Sequence, residues 1–242
     1  MRTTKMSSHK IKSIHPKAQI ATNVTIGKDT EISRNVIIEE QVVIGARCKL
    51  GFDDIANDQL RISQNPYYES FLLKDEECII KKGTVIHDGA YLSKKVLIGE
   101  DCTIGNNAFI RSNSEIGSGV VIGFCASVGP FVRIGGNSQI LNFSVIGSAS
   151  SIGKGVFISP SVVLADNKYM LRTFRGARGP IIEDFVRIGA LSVIISCRIG
   201  RFSLIGANSS VTKDIPENSI YTAQSCRRMP TKLIKEYMDS LE

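Results

Sequence analysis

Between Ile80 and Val163 one six-residue pattern repeats fourteen times without a break. Every sixth residue is Ile, Leu or Val, and a small residue or Val follows four positions later. The leading residues are Ile80, Ile86, Leu92, Ile98, Ile104, Ile110, Ile116, Ile122, Val128, Ile134, Ile140, Ile146, Ile152 and Ile158. A period of six fits neither the 3.6-residue period of a helix nor the two-residue alternation of an exposed strand. It is typical of a parallel β-helix, in which short strands alternate with sharp corners.

The hexad assigns a place to each of its positions. The large leading residue is expected to fill the interior, and the small residue or Val four positions later is expected at the bend. Eight of the fourteen leading residues are followed directly by Gly, which adopts backbone geometries that a Cβ disfavours. In sequences of this type three strands make one turn, so residues 18 apart stack about 4.8 Å from each other.

The pattern extends beyond its uninterrupted part. It is present from Ile20 to Leu50, it stops, and it resumes at Ile80. After a second interruption it continues from Ile182, with one step of five residues between Ile194 and Ile199. Each coil contacts only its neighbours, so such a stack needs protected ends. The stretch that starts at Pro230 has a helical pattern and is predicted to cap the open end.

These patterns predict one repeat domain with additions at both ends. The segments are an N-terminal segment 1–17, a β-helix over 18–215 with loops at about 52–79 and 165–181, and a C-terminal extension 216–242 with a short helix. Long loops on a rigid repeat are usually functional or disordered.

The composition indicates which ligands, partners and cellular compartment to expect. Thirty Lys and Arg against 23 Asp and Glu give a net charge of +7, which favours anionic ligands. The basic residues are scattered without interleaved aromatics, so no nucleic-acid partner is predicted. The chain has no apolar run of 18 residues, so no membrane partner is predicted, and Met1–Lys10 does not resemble a secretory signal. Cys48 and Cys102 occupy small interior positions, which favours a reduced, cytoplasmic protein.

The hexads and the segment from Ile205 to Ser219 (IGANSSVTKDIPENS) carry a family resemblance. They resemble the hexapeptide-repeat acyltransferases, which have a left-handed parallel β-helix and act as homotrimers. The segment from Ile158 to Tyr169 (ISPSVVLADNKY) is similar to a stretch of enzymes that N-acetylate amino groups of nucleotide-linked sugars. The resemblance therefore implies an acetyltransferase that uses acetyl-CoA as co-substrate and a sugar, either free or nucleotide-linked, as acceptor.

The resemblance also implies positions for the thioester. It places the cofactor on the last coils and a phosphate near a lysine, at Gly189, Ala190, Gly206, Ala207 and Lys213. Small residues let a pantetheine arm lie close to the backbone of the β-helix, although the repeat itself also favours Gly at these positions. Arg227 is a further candidate for the terminal phosphates. The chain departs from the family pattern at Asn106, where related sequences often carry His, and in the segment 223–227.

Acyl transfer needs a nucleophile, a destination for its proton, and donors for the developing oxyanion. A hydroxyl nucleophile usually needs a general base, whereas a neutral amine attacks without one. His87 is the only histidine within the repeats, at a corner where its side chain should point outward. It is either a catalytic base or a solvated corner residue. No metal site is predicted, because the alternative zinc chemistry of this fold would require three histidine ligands.

Three polar residues share one hexad position. Asp88, Asn106 and Asn142 lie at intervals of 18 and 36 and should stack along one edge. Such a column could bind sugar hydroxyls or orient an amine, although Asn and Asp also suit corner geometry on their own account. Asn142 also matches an Asn that the N-acetyltransferase relatives carry in this coil.

The second interruption is rich in polar and basic residues. Its first residues, Asp166, Asn167 and Lys168, are candidates for substrate contact, and Asp166 is a second candidate for orienting the amine. Arg172 and Arg175 follow at three-residue spacing, and arginine forks match phosphate geometry. The loop is either a clamp for a diphosphate or a solvated basic loop.

The leading hypothesis is acetyl transfer to the amino group of a nucleotide-linked sugar, with Asn142 or Asp166 orienting the amine. One alternative is a sugar O-acetyltransferase with His87 as base. The other is a non-catalytic β-helix that binds a partner or serves as a scaffold.

Overall fold

A computed structural model describes residues 13–53, 77–168, 178–222, 225–228 and 230–232. Within this part the chain passes in turn through three sheets, here called sheets I, II and III. All strand pairs there are parallel except the last, between β29 and β30. The protein is a three-sided parallel β-solenoid, as the hexads predict, and it is consistent with a left-handed β-helix.

The strands of the three sheets follow one another around the solenoid. Sheet I contains β1 (Ser13–Ile14), β4 (Glu31–Ile32), β7 (Lys49–Phe52), β10 (Tyr91–Ser93), β13 (Phe109–Ile110), β16 (Ser127–Val128), β19 (Val145–Ile146), β22 (Val163–Ala165), β25 (Val193–Ile195) and β28 (Ser210–Val211). Sheet II contains β2 (Gln19–Ile20), β5 (Val36–Ile38), β8 (Cys78–Ile80), β11 (Val96–Ile98), β14 (Ser114–Ile116), β17 (Arg133–Ile134), β20 (Ser151–Ile152), β23 (Ile181–Ile182) and β26 (Arg198–Ile199). Sheet III contains β3 (Thr25–Ile26), β6 (Val43–Ile44), β9 (Val85–Ile86), β12 (Thr103–Ile104), β15 (Val121–Ile122), β18 (Gln139–Ile140), β21 (Phe157–Ile158), β24 (Arg187–Ile188), β27 (Leu204–Ile205), β29 (Ser219–Thr222) and β30 (Ser225–Arg228).

The strand register confirms the stacking interval. Partners within the uninterrupted part are 18 residues apart, as in the pair Ile104 and Ile122. Across the first interruption Ile44 pairs with Ile86, so the chain returns to the same sheet after its excursion. After the five-residue step the interval falls to 17, as in the pair Ile182 and Ile199. The missing residue is therefore absorbed at a corner, and the strands on either side keep their pairing.

The interior matches the hexad assignment. All fourteen leading residues between Ile80 and Ile158 are at most 3% exposed, and Cys48 and Cys102 are buried as predicted. Buried hydroxyls at the small position link neighbouring coils. Thr84 Oγ1 donates to the Gly99 carbonyl (2.8 Å) and accepts from the Cys102 amide (3.1 Å). Such a hydroxyl satisfies one buried backbone donor and one buried backbone acceptor.

The corners use the left-handed backbone region at a position other than the expected one. The third residue after the leading residue has positive φ, for example 54° at Asn107 and 58° at Asn137. The glycine directly after the leading residue instead makes room for the next coil. A Cβ on Gly105 would lie 2.5 Å from the Phe124 amide nitrogen. The glycine is required by close approach of the coils rather than by its own dihedral angles.

The solenoid is a three-sided prism whose sheets meet at three edges. Edge 1 joins sheet I to sheet II, edge 2 joins sheet II to sheet III, and edge 3 joins sheet III to sheet I. Both interruptions of the repeat leave the solenoid at edge 1, after β7 and after β22. The greater part of both predicted loops lies outside the described residues, at 54–76 and 169–177. Residues 1–12 and the predicted C-terminal helix beyond Lys232 also lie outside them.

Candidate active site

Edge 3 collects eight of the residues predicted from the sequence. They follow the strands of sheet III in successive coils: His87, Asp88, Asn106, Asn142, Gly189, Ala190, Gly206 and Ala207. The polar residues come first along the prism axis and the small residues come last. One edge of one chain therefore carries the predicted polar column and most of the predicted thioester positions.

Two residues of the polar column are held by the coil before them. Asp88 Oδ1 accepts from the Ala46 amide (2.8 Å), and its Oδ2 pairs with Arg47 (3.3 Å). Asn142 Oδ1 accepts from the Phe124 amide (3.2 Å), which fixes the oxygen side of its carboxamide. The other side carries two N–H donors that this bond does not use. The half-buried Asn142 amide is therefore oriented, with its donors available to a ligand.

Spacing along the edge separates His87 from Asn142. The coils of β9, β12, β15 and β18 stack in that order, so these residues are three coils apart, or roughly 14 Å. His87 and Asn106 are both exposed. Within one chain, His87 and Asn142 are too far apart to contact the same reacting group.

The aromatic pair Phe124 and Phe143 lies between these polar residues and was missed by the sequence reasoning. The ring centroids are 4.7 Å apart with an interplanar angle of 81°, and the residues are 41% and 53% exposed. The signal was present in the sequence, because Phe124 occupies the corner position of Asn106 one coil away, and Phe143 occupies that of Asn107 two coils away. Exposed Cys125 lies beside them at the same corner.

The remaining predicted residues lie elsewhere. Asp166, Asn167, Lys168 and Lys213 are at edge 1, on the opposite side of sheet I from edge 3. Asp166 Oδ2 accepts from the Ser148 amide (3.2 Å), and Lys168 Nζ donates to the Thr212 carbonyl (3.1 Å). The structure does not bring these residues together with Asn142 within one chain.

Three of the predicted phosphate-binding residues have no described side chain. Arg172 and Arg175 lie outside the described residues. Arg227 is in β30, where its backbone pairs with Ile220.

The last coils of edge 3 are tightly packed around the predicted thioester positions. A Cβ on Gly189 would collide with the Ala207 amide nitrogen of the next coil. The Ser192 hydroxyl donates to the Gly206 carbonyl (3.0 Å) and accepts from the Ser209 amide (3.2 Å). Close packing of the coils thus requires glycine at 189, and Gly189, Ala190, Gly206 and Ala207 are half-buried or exposed, with the exposed side chain of Leu191 beside them.

The described cysteines fall into two groups. Cys48, Cys78, Cys102 and Cys197 are buried, and Cys125 is exposed. Burial raises the pKa of the Cys78 thiol to about 12 and that of Cys197 to about 11. These two thiols are protonated near neutral pH, so they are poor nucleophiles.

A shallow depression of about 480 Å³ lies away from the predicted residues, on sheet II and edge 2. Glu183 lines it and accepts hydrogen bonds from the Arg198 side chain and from the Arg201 amide (2.8 Å). Partial burial acts to raise the pKa of Glu183, but the hydrogen bonds and charges of Arg198 and Arg201 outweigh it and lower the pKa below its usual value. The Glu183 carboxylate is therefore occupied by its own neighbours.

Two other kinds of feature are absent from the part of the chain that the structure describes. No cluster of three or more His, Cys, Asp or Glu side chains is arranged there to hold a metal ion. No helix within the same residues has the length and apolarity needed to cross a membrane.

Comparison with known proteins identifies the repeat. The family model described as bacterial transferase hexapeptide (six repeats) matches residues 77–112 and 95–130. The match covers less than half of the chain, and over residues 77–130 it agrees with the hexads and with the three-sided β-solenoid. The search of curated proteins found no match.

Solved structures similar to this chain include the following three. The UDP-N-acetylglucosamine acyltransferase of Francisella novicida is 18% identical, with 96% of this chain and 72% of that chain covered and a TM-score of 0.46. PerB of Caulobacter crescentus, in complex with CoA and GDP-perosamine, is 19% identical over 76% and 70% of the chains, with a TM-score of 0.37. A mutant of the N-acyltransferase AntD of Bacillus cereus, in complex with dTDP-4-amino-4,6-dideoxyglucose and coenzyme A, is 17% identical over 61% and 84%, with a TM-score of 0.28.

Proposed function

We propose that this protein is an acyltransferase that moves an acetyl group from acetyl-CoA to the amino group of a nucleotide-linked sugar. The observation that carries the proposal is edge 3, where an oriented amide and the small residues of the last coils lie on one accessible line. The transferase repeats matched within residues 77–130 support it.

The acceptor in this proposal carries phosphates, and the protein is proposed to act in the cytoplasm as a homotrimer. The net charge of +7 suits an acceptor and a co-substrate that are both anionic. Cys48 and Cys102 are buried as free thiols, which suits a reducing compartment.

The reaction follows from the groups on edge 3. The neutral amine attacks the thioester carbonyl, the new C–N bond forms, and the C–S bond breaks as CoA leaves. The proton lost by the nitrogen ends on the CoA thiol. In this proposal Asn142 Nδ2 holds the acceptor so that its nitrogen faces the carbonyl, and a backbone amide of the wall stabilises the oxyanion. An amine acceptor needs no histidine within reach of Asn142.

The division of the predicted residues between two edges supports a site shared by two protomers. Within one chain, sheet I separates Asn142 from Asp166. In a cyclic homotrimer, edge 3 of one protomer can face edge 1 of the next. The acceptor and the phosphates would then be contacted from the neighbouring protomer by Asp166, Asn167, Lys168, Arg172, Arg175 and Lys213. Arg227 remains a candidate contact for CoA.

The test is an assay of CoA release with a panel of UDP-, GDP- and dTDP-linked sugars, each in an amino and a hydroxy form. CoA is measured by chromatography, because exposed Cys125 would itself react with a thiol reagent. We expect CoA release with amino sugars and none with their hydroxy counterparts. A panel in which no amino sugar yields CoA contradicts the proposal. If acetyl-CoA also gives no heat of binding in calorimetry, the non-catalytic alternative is supported instead.

The O-acetyltransferase alternative is kept because the His87 side chain is exposed on edge 3. If His87 is the general base for a hydroxyl, His87→Ala lowers kcat about 100-fold or more. For an amine acceptor we expect a rate close to that of the unmodified protein. Measuring kcat of His87→Ala on the best acceptor decides between the two.

A further inference from the structure

The exposed aromatic pair on edge 3 is not explained by the wall. Phe143 has a φ of 60°, in the left-handed region that a bulky side chain rarely adopts. The two adjacent coils fill this corner position with Cys125 and Ser161, and the coil two turns earlier fills it with Asn107. Phe143 is 53% exposed, so little burial offsets its backbone strain. The left-handed φ is shared by the third corner residue of many coils, so what distinguishes Phe143 is that its exposed ring packs against a second exposed ring, that of Phe124.

The surroundings of the pair suit one kind of ligand. Asn142 lies next to Phe143 in the chain, and its Oδ1 is bound to the backbone amide of Phe124. The donors of the Asn142 amide therefore lie beside two exposed ring surfaces. A pyranose has an apolar face of C–H groups and a rim of oxygens. Ring surfaces with a few placed polar donors match both parts of such a molecule.

We propose that Phe124 and Phe143 form an aromatic platform for the apolar face of the acceptor's pyranose ring, while Asn142 donates to an oxygen on its rim. The inference rests on the proposed function and names the residues that select its acceptor. A sugar with equatorial hydroxyls presents a continuous C–H face to the platform. An axial hydroxyl on that face loses its hydration without gaining a partner, so such acceptors are disfavoured.

The first test replaces the ring with the residue that another coil uses at this corner. Asn tolerates the positive φ better than Phe, so Phe143→Asn is expected to fold at least as well as the unmodified protein. We expect its KM for the acceptor to rise about tenfold, with the KM for acetyl-CoA unchanged. Phe143→Tyr keeps an aromatic ring and should keep the acceptor KM. Phe202→Asn, at the same hexad position on edge 2, is the matched control and should also leave it unchanged.

The second test measures binding without turnover. Cys125 lies at the same corner as Phe124 and is exposed, whereas Cys48, Cys78, Cys102 and Cys197 are buried. The sixth cysteine, Cys226, is replaced by Ser so that it does not react. In this Cys226→Ser background, the amino sugars of the panel should slow the alkylation of Cys125 by N-ethylmaleimide. Phe143→Asn should abolish this protection.

The outcomes separate the two proposals. Acyl transfer with an unchanged acceptor KM in Phe143→Asn overturns the platform and leaves the proposed function standing. Protection of Cys125 without any acyl transfer overturns the function and supports the platform. If Phe143→Asn instead lowers the assembly mass measured by light scattering, the rings are covered by a second copy of this chain, and the platform is wrong.

Discussion

Edge 3 and edge 1 are built from the same hexad corner, yet a Phe at the same corner position is exposed on edge 3 and buried on edge 1. Phe143 on edge 3 and Phe131 on edge 1 both occupy the third corner position, with φ values of 60° and 61°. Phe131 is 6% exposed and Phe143 is 53% exposed. At edge 1, burial of the ring offsets the strained backbone. At edge 3 the ring is exposed, so burial does not offset the strain. Phe131 therefore stabilises the fold, whereas Phe143 is available to a ligand.

The largest expected effect is on stability and tests that contrast directly. Phe131→Ala should reduce the free energy of unfolding by about 3 kcal/mol, because it removes a buried ring. Phe143→Ala should change it by less than about 0.5 kcal/mol, as an exposed substitution does. Urea unfolding of both variants measures the difference. Equal losses would show that Phe143 is a structural residue like Phe131.

The next effect asks whether the two edges serve one site. Asn142→Ala and Asp166→Ala should each lower kcat/KM about 100-fold through misplacement of the acceptor. If each site takes edge 3 from one protomer and edge 1 from the next, a randomly mixed trimer of the two variants combines an intact Asn142 with an intact Asp166 in about a quarter of its sites. The refolded mixture should then recover about that fraction of the activity. No recovery would place the two residues in separate roles.

A smaller effect compares hydroxyls that link the coils behind each edge. Ser192 lies behind edge 3, and Ser114 behind edge 1 bonds the Gly129 carbonyl (3.0 Å) and the Val132 amide (3.2 Å). Replacement by Ala should destabilise either protein by about 1–3 kcal/mol, because a buried amide, that of Ser209 or of Val132, loses its acceptor. The KM for acetyl-CoA should rise only in Ser192→Ala, which removes one of the two hydroxyls that donate to the Gly206 carbonyl, the other being Ser209 Oγ (2.7 Å). A rise in both variants would indicate a general loosening of the wall.

The smallest effect belongs to edge 2 and depends on pH. The pKa of Glu183 is lowered in the folded state, so its contribution to stability is present above its unfolded pKa and is lost as pH falls through the folded one. Glu183→Gln should therefore cost less than about 1 kcal/mol at neutral pH, since the Arg198 side chain is largely solvent-exposed. The difference from the unmodified protein should shrink as the pH is lowered into the acid range. Unfolding curves across that range measure it, and a constant difference would argue against this ion pair.

Much of the fold could be predicted from the sequence because the hexad determines both the positions of the strands and the register in which they pair. The same arithmetic places side chains on edges. Asn106 and Asn142 differ by 36, two full coils, and they do share edge 3. Asn142 and Asp166 differ by 24, one coil and one further side, so their separation was already encoded in the numbering. The two residues were offered as alternatives for orienting one amine, and within one chain they lie on different edges.

Exposure at the corners could not be predicted in the same way. The hexad gives Phe131 and Phe143 identical positions, and it treats both as solvent-facing. Whether a corner side chain is covered depends on neighbours other than those of its own hexad, and the hexad period carries no information on them. For this reason the sequence shows that Phe124 and Phe143 depart from the usual corner residues, but it does not predict that their rings are exposed.

The five-residue step near Cys197 shows where this fold tolerates a change in length. A residue lost within a strand would turn every following side chain to the opposite face. Here the loss falls in a corner, and Ile199, Ile205 and Val211 remain buried in phase with the coils before them. Corners therefore act as the joints of the molecule, where chain can be removed or added while the interior keeps its pattern. Variation in length, and with it new binding surfaces, can accumulate at the edges without disturbing the wall.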